Sequence, residues 1–163
     1  MAMQTVGAKE ELRRAAKSRR LMEVTKLDYR RALKHLAGAV PQVEIARTLG
    51  ITQPTLSSNL KTARTVPEAV PGFSGAGPYE ICQRFAADLI EREQLVDELT
   101  RWEYTPIPEG EWFEDPMPSP GPGSWREVVN AVDEGLIDDA TYDEVLRASV
   151  AHADRGEAPR SHA

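Results

Sequence analysis

The sequence predicts an all-α protein, and three observations support that prediction. Residues 43–60, VEIARTLGITQPTLSSNL, contain two short helical patterns separated by a glycine turn. Apolar residues recur at helical spacing both before and after this stretch. Two later segments, residues 85–99 and 132–146, align without gaps as a helix, a Leu-Ile pair, an acidic cap and a second helix. We therefore expect a helical N-terminal domain, followed by an acidic helical region with two similar hairpins.

The composition narrows the class of protein. The chain has 163 residues, 40% of them hydrophobic and 28% charged, which suits one ordinary domain or two small ones. No apolar run approaches the roughly 20 residues that cross a bilayer, and the start, MAMQTVGAKEEL, lacks the apolar block of a secretory signal. We expect a cytoplasmic protein without a membrane segment. The single cysteine, Cys82, favours an inert packing residue, with a functional thiol as the alternative.

The charges are distributed very unevenly along the chain. Residues 1–66 hold 13 Lys and Arg against 5 Asp and Glu, whereas residues 67–163 hold 7 against 21. The two parts therefore carry net charges of +8 and −14, which together give the −6 of the whole chain. This asymmetry suggests two sections with different partners. The alternative is that the two parts neutralise each other, within one molecule or across a dimer.

The first short helix, the turn and the second short helix have clear local signals. Gly50 supplies a left-handed backbone at low steric cost, which a tight turn between helices requires. Thr52 is a candidate N-cap of the second helix, and Pro54 is tolerated because it falls in the first turn, where its missing N–H is not needed. We expect the two helices to bury Val43, Ile45, Ala46, Leu49, Leu56 and Leu60.

The outer face of the second helix is polar and basic. There is no acidic residue between Gly50 and Val66, as expected for a helix that enters the major groove, because each carboxylate would repel the phosphates. Glutamine can contact adenine bidentately, serine and threonine can contact several base edges, and basic side chains suit phosphates. We predict that the face binds double-stranded DNA through Thr52, Gln53, Pro54, Thr55, Ser57, Ser58, Lys61 and Arg64.

Residues 42–60 resemble the helix-turn-helix of bacterial and phage regulators of the Xre/Cro and related types. The match rests on Gln42, Ala46, Leu49, Gly50, Ile51, Thr52, Thr55, Leu56 and Ser57. The resemblance implies a recognition helix in the major groove, which reads bases from its N-terminal residues. In this sequence a Pro/Gly stretch follows the motif sooner than it does in the five-helix Xre-type domain. A compact trihelical domain is therefore an alternative to the five-helix domain. A helix pair used only for protein contacts is the other alternative.

The residues before this motif form a predicted helix and a basic arm. DYRRALKHLAGAV, residues 28–40, spaces Tyr29, Leu33 and Leu36 as an amphipathic stripe that would pack on the helix pair. Upstream, residues 8–26 are rich in Lys and Arg and have only a weak apolar stripe. We predict that Arg13 and Arg14 contact phosphates. A solvated helix that packs lightly on the domain, or a dimer contact, is the alternative. The motif domain is assigned to residues 1–65.

Residues 66–78 contain three prolines and three glycines, which predicts a linker or an irregular connection. Residues 79–150 are assigned to the acidic helical region. Its first hairpin has the stripes Ile81, Phe85, Leu89 and Leu95, Leu99, Trp102, with a break near residues 90–91. The second hairpin repeats the first at an offset of 47 residues, so Leu89 aligns with Leu136 and Leu99 with Leu146.

In the second hairpin, Gly135 is a candidate helix end and Asp138 a candidate cap. The two hairpins could pack together as a small four-helix unit. This region resembles segments of actinobacterial helix-turn-helix proteins of unassigned role, which implies no specific activity.

The two hairpins are joined by a proline-rich cross-over, residues 104–124, with six prolines. It should be extended or disordered unless its aromatic rings anchor it. Trp112 and Phe113, together with Trp102 just before the cross-over, either tuck back onto the helices or form an acidic-aromatic strip that binds a protein partner. Residues 151–163 are predicted to be a flexible tail.

Residues with catalytic or ligand-binding chemistry are few. The three histidines, at positions 35, 152 and 162, have no metal-ligand spacing with Cys82 or with one another. GFSGAGP lacks the lysine and the strand-to-helix setting of a phosphate-binding loop. We expect no catalytic residue, no metal and no cofactor.

Three functions fit the sequence. The first is a transcriptional repressor that binds an operator as a homodimer. The second is an antitoxin, whose basic part represses its own operon while the acidic part neutralises a toxin. The third is a phage or plasmid adaptor, in which DNA contact localises an acidic interaction module.

Overall fold

The computed structural model describes residues 2–106 and 121–156, and in these residues all regular secondary structure is α-helical. The chain forms two compact units, Met1–Glu68 and Ala69–Ala163. The all-α prediction is confirmed for the described part of the chain. The helices are α1 Ala2–Leu36, α2 Gln42–Leu49, α3 Gln53–Ala63, α4 Pro78–Ala86, α5 Arg92–Thr100, α6 Arg126–Asp133 and α7 Asp139–Gly156.

Helix α1 is longer than the sequence suggested, because it joins the basic arm and the predicted helix into 35 continuous residues. From residue 6 onward, the buried side chains of α1 are Val24, Arg31 and Leu33. The prediction of a buried Tyr29–Leu36 stripe was wrong at both ends, since these two side chains are 38% and 39% exposed. From residue 6 to residue 19 every side chain is exposed, so this part of α1 has no covered face.

A tight turn with a left-handed residue separates α2 from α3. Gly50 has φ 66° and ψ 29°, and its N–H donates to Arg47 O over 3.2 Å. The next N–H, of Ile51, donates to Ala46 O over 3.0 Å. This pair of bonds closes the Schellman motif that ends a helix at a left-handed residue. The predicted cap is also confirmed, because Thr52 Oγ1 accepts the N–H of Thr55 over 3.3 Å.

The core of the first unit lies where α1, α2 and α3 meet. The prediction that Val43 and Leu49 are buried was wrong, since they are 62% and 40% exposed. Helix α2 has only eight residues, and its buried residues are confined to the middle of the helix. The apolar cluster consists of Leu33, Ile45, Ala46, Leu56, Leu60 and Ala63.

The second unit is built from two hairpins, α4–α5 and α6–α7, which share one core. The 47-residue offset extends to the backbone, because Asp88 and Gly135 are both left-handed, with φ 55° and 69°. The predicted cap is confirmed, since Asp138 Oδ1 accepts the N–H of Thr141 over 2.8 Å. The predicted four-helix packing is confirmed by the shared apolar cluster of Ile81, Cys82, Leu95, Leu99, Val128, Ala131, Leu136, Ile137 and Val145. Leu89, predicted to lie inward, is 46% exposed.

Buried and half-buried glutamates hold the Pro/Gly stretch that precedes α4. Glu98, only 2% exposed, accepts the N–H and the hydroxyl of Ser74 over 2.9 and 2.7 Å. Glu80 accepts the N–H of Ala76 over 3.0 Å. A Cβ on Gly77 would lie 2.8 Å from Glu127 Oε2, so a larger residue there would displace this oxygen, which accepts the N–H of Tyr79 over 3.0 Å. The stretch is an irregular connection, which was one of the two predicted possibilities. Arg101 donates to Gly72 O, so from residue 72 onward the stretch is bound to the second unit and is not a free spacer.

The ends of the cross-over pair with each other, since the N–H of Thr105 donates to Gly123 O over 3.0 Å. Trp112 and Phe113 lie outside the described residues, so their predicted role stays a prediction. Residues 151–156 of the predicted flexible tail are helical, because α7 continues to Gly156.

We expect Gly50→Ala to lower the free energy of unfolding by about 1–2 kcal/mol, because an L residue is strained in the left-handed region. No atom lies within 4 Å of the Cβ site, so the effect isolates the backbone. Urea unfolding followed by far-UV circular dichroism measures it. Gly38→Ala is the matched control, since its Cβ site is also open and its φ is not positive. Equal stability of the two variants would contradict the strain argument.

Cys82 is expected to be unreactive in the folded protein. Burial, and then the nearby Glu127 carboxylate, raise the pKa of its thiol to about 12, so almost no thiolate exists at neutral pH. A disulfide reagent at pH 8 should label the protein only as rapidly as the second unit opens, and labelling should be complete in urea. Fast labelling without denaturant would instead indicate a functional thiol.

Candidate nucleic-acid interface

Helix α3 has one buried side and one polar side. Leu56, Leu60 and Ala63 are buried in the core of the first unit, Asn59 is half-buried, and the other positions of the helix are exposed. Every side chain predicted to contact DNA from this segment is exposed. Six exposed residues, together with Leu60, line one open depression along the helix, namely Gln42, Pro54, Ser57, Ser58, Lys61 and Arg64.

Two of the predicted contact residues also form the cap of α3. The hydroxyl oxygens of Thr52 and Thr55 lie 2.8 Å apart, and Thr52 Oγ1 accepts the Thr55 N–H as well. These hydroxyls are therefore partly used by the protein itself. In the described part of the chain the side chains of Gln53 and Ser57 have no such partner, so their hydrogen-bonding groups are free for a ligand.

The electrostatics of this face favour an anion. Lys61 and Arg64 form no ion pair with any described residue, and no acidic residue occurs between Glu44 and Glu68. Glu68 is itself occupied, because it pairs with Lys34 and lies 3.2 Å from His35 Nε2. The hydrogen bond from Lys34 lowers the pKa of Glu68 below its ordinary value. The ion pair is therefore complete above the ordinary carboxyl pKa, and it is lost only as the pH falls through the lowered value.

Arg13 and Arg14 are not brought together with the α3 residues. They lie about 20 residues before Leu33, or about 30 Å along the helix axis. Their side chains are 81% and 67% exposed and pair with acidic neighbours, since Arg14 Nε lies 3.6 Å from Glu10 Oε1. Exposed pairs of this kind are weak, so a phosphate could displace the carboxylates. The predicted basic arm is thus a surface separate from the exposed face of α3, and its acidic neighbours neutralise part of its charge.

Trp102 is mainly a packing residue. Its ring lies edge-on to Phe73 at 4.8 Å, and its N–H donates to Gly123 O over 3.2 Å. The half-buried indole also lines a depression with Val70, Arg101 and Glu103. The predicted partner-binding role is therefore not needed to explain the residue.

The sequence-based prediction of the site omitted Gln42 and the basic residues around Leu33. Gln42 lines the same depression as Ser57 and Lys61. Its position just after Pro41, in the first turn of α2, is the sequence feature that could have identified it as a site residue. Lys34 and Arg31 bind the chain that follows α3, and nothing in their local sequence distinguishes them from solvated cations.

Other kinds of site find little support in residues 2–106 and 121–156. None of the helices there is both long and apolar enough for a bilayer, and no three His, Cys, Asp or Glu side chains group as metal ligands. Comparison with protein-family models, with curated proteins and with solved structures finds no match to this chain.

Proposed function

We propose that the protein is a sequence-specific DNA-binding transcriptional regulator of the repressor type. In this proposal α2, the Gly50 turn and α3 act as a helix-turn-helix, and α3 enters the major groove. The observation that supports it most is the outer face of α3, which is exposed, has no carboxylate and carries Lys61 and Arg64 without ion-pair partners among the described residues. A polyanion with readable base edges matches such a face.

The residues of this face divide between two tasks. Gln53 and Ser57, one turn apart at the start of α3, are assigned to base edges, where their side chains can both donate and accept hydrogen bonds. Lys61 and Arg64, near the end of the helix, are assigned to phosphates. Gln42, at the first position of α2, is assigned to a phosphate beside the same groove.

A second copy of the chain is part of the proposal. Helix α3 has 11 residues and is about 16 Å long, which matches only about five base pairs. One such helix cannot specify a unique site, so a homodimer on a near-palindrome is expected, with half-sites about 10 base pairs apart.

An antitoxin is the second candidate, and the charge distribution favours it. Residues 67–163 carry a net charge of −14 and contain a core of their own, so they could bind a basic partner while residues 1–66 bind DNA. Purification from the native host tests this candidate. A basic protein recovered in fixed ratio with the chain would support it, whereas the chain recovered alone on DNA would favour the plain repressor.

Replacing Gln53 and Ser57 by alanine should reduce sequence preference by about 1–3 kcal/mol for each base that is no longer hydrogen-bonded, with helicity unchanged. Binding would be measured with a duplex selected from a random library by the wild-type protein, and with a scrambled duplex. Ser18→Ala is the matched control, because Ser18 is exposed on α1. Unchanged discrimination in the double variant would contradict the assignment of these two residues.

Replacing Arg13 and Arg14 by alanine should weaken binding to selected and scrambled duplexes equally. If both arginines contact phosphates, the slope of log K against log salt should flatten by about 1.8. Glu10→Gln with Glu11→Gln frees the same arginines and should strengthen binding to both duplexes. An unchanged slope in the arginine variant would exclude this part of α1 from the interface.

A further inference from the structure

Helix α3 ends without the left-handed residue that ends α2. Arg64 has right-handed angles, φ −61° and ψ −26°, and the chain leaves the helix through two tight turns. In these turns Thr65 N donates to Thr62 O and Val66 N donates to Ala63 O, each over 3.1 Å. Pro67 has no N–H with which to continue. A helix end of this kind frays unless other parts of the protein hold it.

Two cations of α1 hold the chain directly after α3. Arg31 Nε donates to Pro67 O and Lys34 Nζ donates to Val66 O, each over 2.9 Å. Lys34 also forms the ion pair with Glu68. Arg31 is only 7% exposed, which is unusual for arginine and shows that it is enclosed by the protein. We name Arg31, Lys34 and residues 66–68 the α1 clamp.

The α1 clamp fixes the main chain that follows Arg64. Before Arg64 stands Ala63, fully buried in the core, and after it stands Val66, which is 6% exposed. The main chain of Arg64 is therefore held on both sides, while its side chain stays exposed. A contact residue that is fixed before binding loses less conformational entropy when the ligand arrives.

We infer that the α1 clamp positions Arg64 for its phosphate contact, and that Arg31 and Lys34 are positioning residues of the DNA interface and not DNA contacts. The inference rests on the proposed function. The inference also assigns a role to Glu68. Its carboxylate pairs with the ammonium of Lys34, so this ammonium stays beside residues 66–68 and does not contact phosphates.

Glu68→Gln tests the inference by the sign of its effect. The substitution makes the protein less negative, so charge alone would strengthen DNA binding. If the clamp positions Arg64, the loosened pair should instead weaken binding to the selected duplex about threefold, the size expected for an exposed ion pair. Glu44→Gln is the matched control, because Glu44 is an exposed acid of the same unit without an ion pair among the described residues. It should leave binding unchanged or strengthen it.

A double-variant cycle shows whether the clamp acts through Arg64. Lys34→Met and Arg64→Ala should each weaken binding to the selected duplex about tenfold, the lower part of the range for one contact. In the double variant the loss of affinity should stay close to that of Arg64→Ala alone, because the clamp has nothing left to position. Lys26→Met removes the same charge from α1 at an exposed position and should have little effect. Lys34→Arg, which keeps a donor for Val66 O, should restore binding.

The outcomes separate the two proposals. If the full-length wild-type chain selects no duplex from a random library, both the proposed function and the clamp inference fail. If it selects one, and Glu68→Gln binds that duplex as tightly as wild type or more tightly, only the clamp inference fails. It also fails if the effects of Lys34→Met and Arg64→Ala on affinity multiply. Circular dichroism of each variant confirms that the helices remain folded, and Glu68→Gln changes only a surface side chain.

Discussion

Gly50 reverses the chain between α2 and α3 in a backbone conformation that other L residues adopt only with strain. The two bonds that close this turn fix where α3 begins, and the Thr52 cap then fixes its first N–H groups. Once the start of α3 is set, its 3.6-residue period determines which side chains enter the core. Leu56 and Leu60 face inward, and Ser57 and Ser58 between them are exposed. The chemistry of the exposed face is thus a consequence of a single turn.

The second unit shows the same kind of turn twice, with different residues. Asp88 and Gly135 occupy equivalent left-handed positions, and the following N–H groups bond back to Arg84 O and Ala131 O over 2.9 and 2.8 Å. Aspartate is one of the few residues other than glycine that tolerates this region, because its short polar side chain can bond locally. The backbone geometry of the hairpin is therefore maintained while the residue at the turn differs.

Local signals made much of this fold predictable. The glycine turn, the caps at Thr52 and Asp138 and the two hairpins all depend on residues within a few positions of one another, and these are the features that the sequence indicated correctly. The exposed face of α3 was predictable for the same reason. Burial depends instead on which neighbours cover a helix, so periodicity alone placed Val43 and Leu49 in the core, although both are more than a third exposed.

Interactions between distant residues were beyond the reach of sequence patterns. The clamp joins Arg31 to Pro67 across 36 positions, and neither residue carries a local sign of the bond. In the same way the continuity of α1 from the arm to Leu36 follows from the absence of a helix breaker, which a weak apolar stripe does not reveal. The parts of the candidate site that required the structure are those in which one helix holds another segment.

The Pro/Gly stretch before α4 has a practical consequence for dividing the chain. Its proline and glycine content suggests that the chain can be divided at Pro78, where the first helix of the second unit begins. A fragment that starts there would lack Ser74 and Ala76, whose N–H groups bind Glu98 and Glu80. Glu80 would keep its bonds from Arg84, and Glu98 its bond from Gln94, but each would lose the N–H donors of the stretch. A buried carboxylate that loses hydrogen-bond donors destabilises the fold that contains it. An expression boundary at Ala69 keeps these donors, so proline and glycine content alone is a poor guide to where this protein can be divided.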